Sequence, residues 1–399
     1  MTDIAIRRTD RTPALLACPF RPFFILTALY AIALIGAWAA FLFLALPLAL
    51  GVEPALWHSH EMLFGVVPAA IAGFLLTAIG NWTGAAHLRG GGLLALAALW
   101  LAGRAAMWLS AVVPPWLVAT LDMAFLPTLA IYAARVLIRH GNHRNLILAV
   151  MLGLLALCNL FMHLSFSGFG PHFARLGEVA AMDLVAVIMI VIGGRITPAF
   201  TANWLSMNAR NPAVVQRSAK LDTWAMASAL AMVPADLATG APWLGAAAAL
   251  VAAVVSGWRL LRWRGWHASG EPLLWILHLG LAWVVVALLL KALTPVAGLN
   301  PSAWMHALGA GAMGTLILGV MTRVAMGHTG RAIELRRGGI WIYAAITVAA
   351  LSRLGAALEL LDFQRSVALA SAAWVVAFGL FAVLYWRILS QPRVDGKPG

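Results

Sequence analysis

Residues 57–80 read WHSHEMLFGVVPAAIAGFLLTAIG, and they set the class of the whole chain. From Leu63 to Gly80 there are 18 residues without a charge. Wound as a helix at about 1.5 Å per residue, such a run nearly crosses a hydrocarbon layer of about 30 Å. Three ionisable groups, His58, His60 and Glu61, stand at its head. In lipid such groups are costly unless they are paired or functional.

The same pattern recurs along the 399 residues. Apolar runs lie near 23–46, 57–80, 91–111, 116–138, 145–167, 175–194, 222–240, 242–261, 272–294, 301–324, 340–360 and 366–389. The fold class is therefore all-α, a polytopic membrane helix bundle of about twelve transmembrane helices whose first partner is the lipid bilayer. The seventh and eighth runs, parted only by residues 239–242, can also be read as one broken pair, leaving ten or eleven spans. The layout is a basic tail over 1–22, a transmembrane domain over 23–389 and a short tail over 390–399. The tail has no apolar stretch of its own, so the run from Phe23 is expected to be an uncleaved first span.

Composition agrees. Hydrophobic residues make up 63% of the chain and charged ones 10%, against about 25% charged in a soluble domain. Mean hydropathy is +0.90. These values exclude a large soluble enzyme. The net charge of +13 invites a nucleic-acid reading, but the basic residues sit between apolar runs, so no nucleic-acid partner is expected. With the N-terminus inside, 22 of the 27 Lys and Arg fall on the inner side. Only Arg175, Lys291 and Arg365 fall outside, and Arg104 and Arg353 lie within spans. That asymmetry predicts an N-in, C-in, multi-pass topology. The two cysteines, Cys18 and Cys158, exclude a disulfide scaffold and a Cys-rich zinc or iron–sulfur site.

This topology assigns each ionisable group a depth. His58, His60, Glu61, Asp122, His163, Glu178, Asp183 and His306 share the outer face. Imidazole is the commonest metal ligand, so His58, His60, His163 and His306 are candidate metal ligands. Interfacial histidines bonded to water are the plain alternative. His58 and His60 are two apart, about 200° around a helix, so they do not easily face one metal. One can ligate while the other faces a neighbouring site. Arg104 and Arg353 either neutralise the acids or meet the propionates of a haem. Toward the inner face, His278 and His328 mark either a second haem or metal site or a helix–helix hydrogen bond. His87, His140, His143, His172 and His267 are expected to be solvated.

A candidate internal repeat has an offset of 246 residues: His60, Gly65, Gly73, Thr83 and Gly84 match His306, Gly311, Gly319, Thr329 and Gly330. Glycine is common, 36 residues, so chance matches compete with duplication. Under duplication, His60 and His306 are equivalent positions with the geometry expected of an axial pair.

Several motifs together resemble the NnrS family of bacterial membrane proteins. They are Arg21-Pro22-Phe23-Phe24, the run from His58 to Gly65, Asn81-Trp82-Thr83-Gly84, the run from Gly193 to Asn203, and Gly327-His328-Thr329-Gly330-Arg331. Thr197, before Pro198, departs from the aliphatic residue expected there. The resemblance implies a bacterial inner-membrane protein with haem and copper, linked to denitrification and the response to nitric oxide. It implies His58, His60, His163, His278, His306 and His328 as ligands to test. No c-type attachment motif is present, so the cofactor would be haem b, with electrons from quinol or an electron-donor protein. Copper on the remaining imidazoles would make a dinuclear centre.

On this reading the protein binds or reduces nitric oxide, as a candidate nitric oxide reductase-type oxidoreductase. Cofactor-binding residues are His60, His306, His163, His278, His328, Arg104 and Arg353, while Glu61, Glu178 and Asp183 carry protons or fix imidazole tautomers. Two rivals stand beside it. A proton-coupled secondary transporter would place its polar site near the bilayer midplane. A haem- or metal-binding protein without catalysis would need no reaction at all.

Overall fold

A computed structural model describes residues 12–238 and 241–397. Arg7, Arg8 and Arg11 of the basic tail lie outside the described residues, as does part of the junction at 239–242. Among the described residues all regular structure is helical. There are twelve long helices: α1 (Phe20–Leu44), α2 (Pro54–Thr83), α3 (Gly90–Trp108), α4 (Pro115–Arg139), α5 (His143–Phe166), α6 (Pro171–Met207), α7 (Ala219–Leu237), α8 (Pro242–Arg262), α9 (Pro272–Ala297), α10 (Ser302–Gly327), α11 (Ile340–Ala357) and α12 (Phe363–Ser390). Each expected apolar run is one of them. Eleven are long and apolar enough to cross a membrane. The other is α7, which carries Asp222, Pro234 and Asp236. It is a helix in its own right, packed beside α8.

Local chemistry sets the helix ends. Pro54, Pro115, Pro171, Pro242 and Pro272 each open a helix, where the missing N–H costs nothing. Glu53 caps α2, its carboxylate accepting from the Leu56 N–H at 2.8 Å. Gly84 ends α2 with φ +71°, a left-handed turn that glycine takes without strain. Sequence neighbours pack against each other, notably α11 on α12, α8 on α9 and α5 on α6, and α12 returns against α1. Leu29, Leu101, Val150, Leu250 and Val383 are exposed on the outer surface of the bundle, as lipid contact requires.

Two helices depart from α geometry near their starts. In α2, Glu61–Val66 is wound as a π-helix, and in α10 so is Ala307–Met313. The two stretches begin one residue after His60 and His306 and are separated by the same 246 residues. π-segments inside α-helices occur frequently at functional sites. Because the helices alternate in direction, the starts of α2, α4, α6 and α10 meet the ends of α3, α5, α9 and α11 at one pole of the bundle. Most of the buried ionisable groups collect there, while Arg21 and Arg259 are buried at the opposite pole.

Candidate functional site

At this pole α2 presents His58 to one side and His60 to the other. His60 is fully buried. Its Nδ1 lies 2.8 Å from Glu61 Oε1, and its Nε2 lies 2.8 Å from Asn159 Oδ1 and 3.2 Å from Asp122 Oδ2. Asn159 and His163 are one turn apart on α5, and both reach Asp122. Asn159 Nδ2 donates to Asp122 Oδ2 at 2.8 Å, and His163 Nε2 lies 2.8 Å from the same oxygen. Arg104, from α3, donates to Glu61 Oε1 at 2.5 Å and to Asp122 Oδ1. Tyr30, from α1, donates to Glu61 Oε2 and accepts from Trp108 Nε1 at 3.1 Å.

Five helices thus close on one polar knot. Glycine makes room for it. A Cβ at Gly65 would sit 2.8 Å from the Tyr30 ring and 3.0 Å from the Arg104 guanidinium. The charge count decides what the knot can accept. Two carboxylates face one guanidinium, which leaves one negative charge in a low-dielectric interior where unbalanced charge is costly. Both ring nitrogens of His60 face acceptor oxygens. A proton on each nitrogen satisfies this arrangement, and so does a cation shared with the carboxylate. Ligand atoms of His60, Asp122 and His163 lie within 4.8 Å of one another, a group able to hold one metal ion.

On the other side of α2, His58 and His306 line a cavity of about 320 Å³ together with Trp38, Glu178, Met313 and Arg353. This is the size of a small-cofactor site. His306 Nδ1 lies 2.7 Å from Ser302 O and 3.1 Å from Ser302 Oγ. Bonding to the backbone carbonyl places the ring proton on Nδ1 and leaves the Nε2 lone pair free, the arrangement usual for a metal-bound histidine. His58 stacks on Trp38, with ring centroids 4.7 Å apart and planes 14° apart. His58 Nδ1 is buried without a hydrogen-bond partner. Arg353 Nη2 reaches Ser302 Oγ at 3.5 Å, while its Nη1 is buried and unpartnered. Gly309 lines the cavity, and a Cβ there would meet nothing within 4 Å. Two imidazoles from facing helices, a guanidinium arm lacking an anion, and open space beside a glycine suit haem with its propionates.

The remaining expected site residues lie elsewhere. Asp183 pairs with Lys291, which also meets Asp236 Oδ2 at 2.5 Å and lies 4.6 Å from the centroid of the Trp304 ring. This is a third buried ionic group at the same pole. His278 Nε2 lies 3.0 Å from Thr201 Oγ1, a bond between α9 and α6. His328 packs on Phe20, with centroids 5.7 Å apart, and its carbonyl accepts from Arg393 at 2.8 Å. Burial pushes the His328 imidazole down to about 4. The rings of His278 and His328 have separate surroundings and form no common site.

The axial pairing of His60 with His306, expected under a repeat, is not the arrangement found. His60 goes with His163, and His306 with His58, because the two histidines of α2 project to opposite sides. Sequence reasoning missed Asn159, Tyr30, Ser302 and Asp236 as partners. Asn159, one turn before His163, and Ser302, one turn before His306, were detectable as same-face neighbours. Tyr30 and Asp236 gave no local signal.

A family model described as NnrS protein matches residues 14–393. A comparison with curated proteins finds no match.

Proposed function

The chain belongs to the NnrS family, and from that footing we propose that it is a haem-binding inner-membrane protein that captures nitric oxide at the outer pole of its bundle. Family membership supports a role related to nitric oxide. The observation that carries the haem reading is the pair His58 and His306, which face one cavity with free ring nitrogens beside an unpaired arm of Arg353. Haem b would be held by His306, with His58 as the second or displaceable ligand and Arg353 meeting a propionate. Bound haem supplies an iron that takes a diatomic ligand.

The chain's own residues do the rest. Ser302 holds the His306 ring in the tautomer that leaves Nε2 unprotonated. Trp38 holds the plane of His58. Glu178, on the cavity wall, would hold a proton near bound ligand. Across α2, His60, Asp122 and His163 form the metal site. Two imidazoles and a carboxylate suit a first-row transition metal, for which the family resemblance implies copper, and Arg104, Glu61 and Asn159 orient the ligands. In this reading copper is a separate centre with its own ligands. At mid-depth the crevice bounded by α1, α2, α6 and α10 is lined only by apolar side chains, which gives a transporter's polar substrate site no footing there.

The test is the visible spectrum of the purified protein. A Soret band is expected after expression with adequate haem, and it should shift when nitric oxide is added to the reduced protein. His306→Ala should lose the band. A wild-type protein without a Soret band contradicts the proposal.

A further inference from the structure

We infer that a second, smaller chamber admits nitric oxide sideways from the hydrocarbon layer into the histidine cavity. This rests on the nitric oxide reading above. The chamber has a volume of about 100 Å³ and lies among α1, α2, α6 and α10, at the middle of the last three. Every side chain that lines it is apolar; among them are Phe24, Ile71, Val185, Ile192, Met313 and Ile317. A crevice lined in this way offers water no polar partner and takes apolar guests such as xenon.

Two observations make it a route and not only a packing defect. Met313 lines this chamber and also the cavity of His58 and His306. One flexible side chain is therefore shared by the two spaces, and methionine's three rotatable bonds let it swing. Met313 is also the last residue of the π-wound stretch of α10, whose altered register sets where it points. At the other end, Ile71, Ile192, Ile317 and Val320 are half-buried, so the chamber has a mouth on the bundle's surface.

The chemistry selects the guest. An uncharged diatomic is more soluble in hydrocarbon than in water, and it needs no hydrogen bond on the way. Ions, protons and water find no polar group along this wall. Entry from the membrane therefore supplies nitric oxide to the iron site while the apolar lining keeps water out, which limits side reactions.

Xenon tests the chamber without reference to haem. Crystals or detergent-solubilised protein under xenon should show the atom against Val185 and Ile317, and Ile317→Trp should abolish it. Nitric oxide association with the reduced haem then tests the route. Ile317→Trp at the mouth and Val185→Phe inside should each slow association, by on the order of tenfold, with the Soret band unchanged. The intact band shows that the variants fold. An absent xenon atom, or a lipid chain filling the chamber, overturns the inference. So do unchanged association rates in both variants. If the wild type lacks a Soret band, the haem reading fails, and xenon occupancy still decides the chamber.

Discussion

His58 and His60 stand two residues apart on α2 and enter two regions of opposite character. Around His60 the ring and both carboxylates are closed: Glu61, Asn159 and Asp122 take both ring nitrogens, and Arg104 ties the two carboxylates together, its Nε alone lacking a partner. Around His58 the contacts are left open: its Nδ1 and Arg353 Nη1 lack partners, and His306 keeps Nε2 free beside 320 Å³ of space. A closed network of this kind holds helices together and accommodates one added proton or metal ion. An open one is a place for a larger group. One residue type at nearly one depth thus serves two purposes, and the helix period separates them.

The largest effect that sharpens this contrast is on stability. Arg104→Ala leaves Glu61 and Asp122 buried without their cation, and should destabilise the protein by about 3–5 kcal/mol. Arg353→Ala removes a single long contact to Ser302 and should cost at most about 1 kcal/mol. Thermal unfolding in detergent reads both, and equal losses would break the contrast. Tyr30→Phe takes one donor from Glu61 and should cost about 1.5–3 kcal/mol in the same assay.

Smaller effects follow. Asp122→Asn removes the carboxylate of the proposed metal site, so metal content should fall about tenfold or more by elemental analysis. Glu178→Gln, on the open side, should leave the metal in place. A pH-dependent effect belongs to the far pole. His328 is held near pH 4 in the fold against an ordinary value of 6.5, so its neutral form is favoured on folding. Its contribution is complete above about pH 6.5 and is lost as pH falls toward 4. His328→Asn should flatten the decline of melting temperature over that interval, and an unchanged slope would contradict it.

Much of this was legible in the chain itself. Each apolar run became a helix because length and hydropathy dictate spans in lipid almost alone. The opposed directions of His58 and His60 follow from 100° of rotation per residue. Partner choice was not legible. Arg104 and Arg353 look alike in sequence, each an arginine late in an apolar run. Only tertiary packing gives the first two carboxylates and leaves an arm of the second free. The 246-residue offset suggested that His60 and His306 meet, but equal registers on two helices do not bring their side chains face to face. The π-wound stretches left no trace in composition, and they redirect the residues that follow them.

The most direct measurement compares His58→Ala with His60→Ala, each purified and read by visible spectrum and metal analysis. A shifted or weakened Soret band in His58→Ala with its metal retained, and loss of metal in His60→Ala with its band unchanged, is the result expected of two sites back to back on α2. The same loss from both variants, or the reverse assignment, would contradict it.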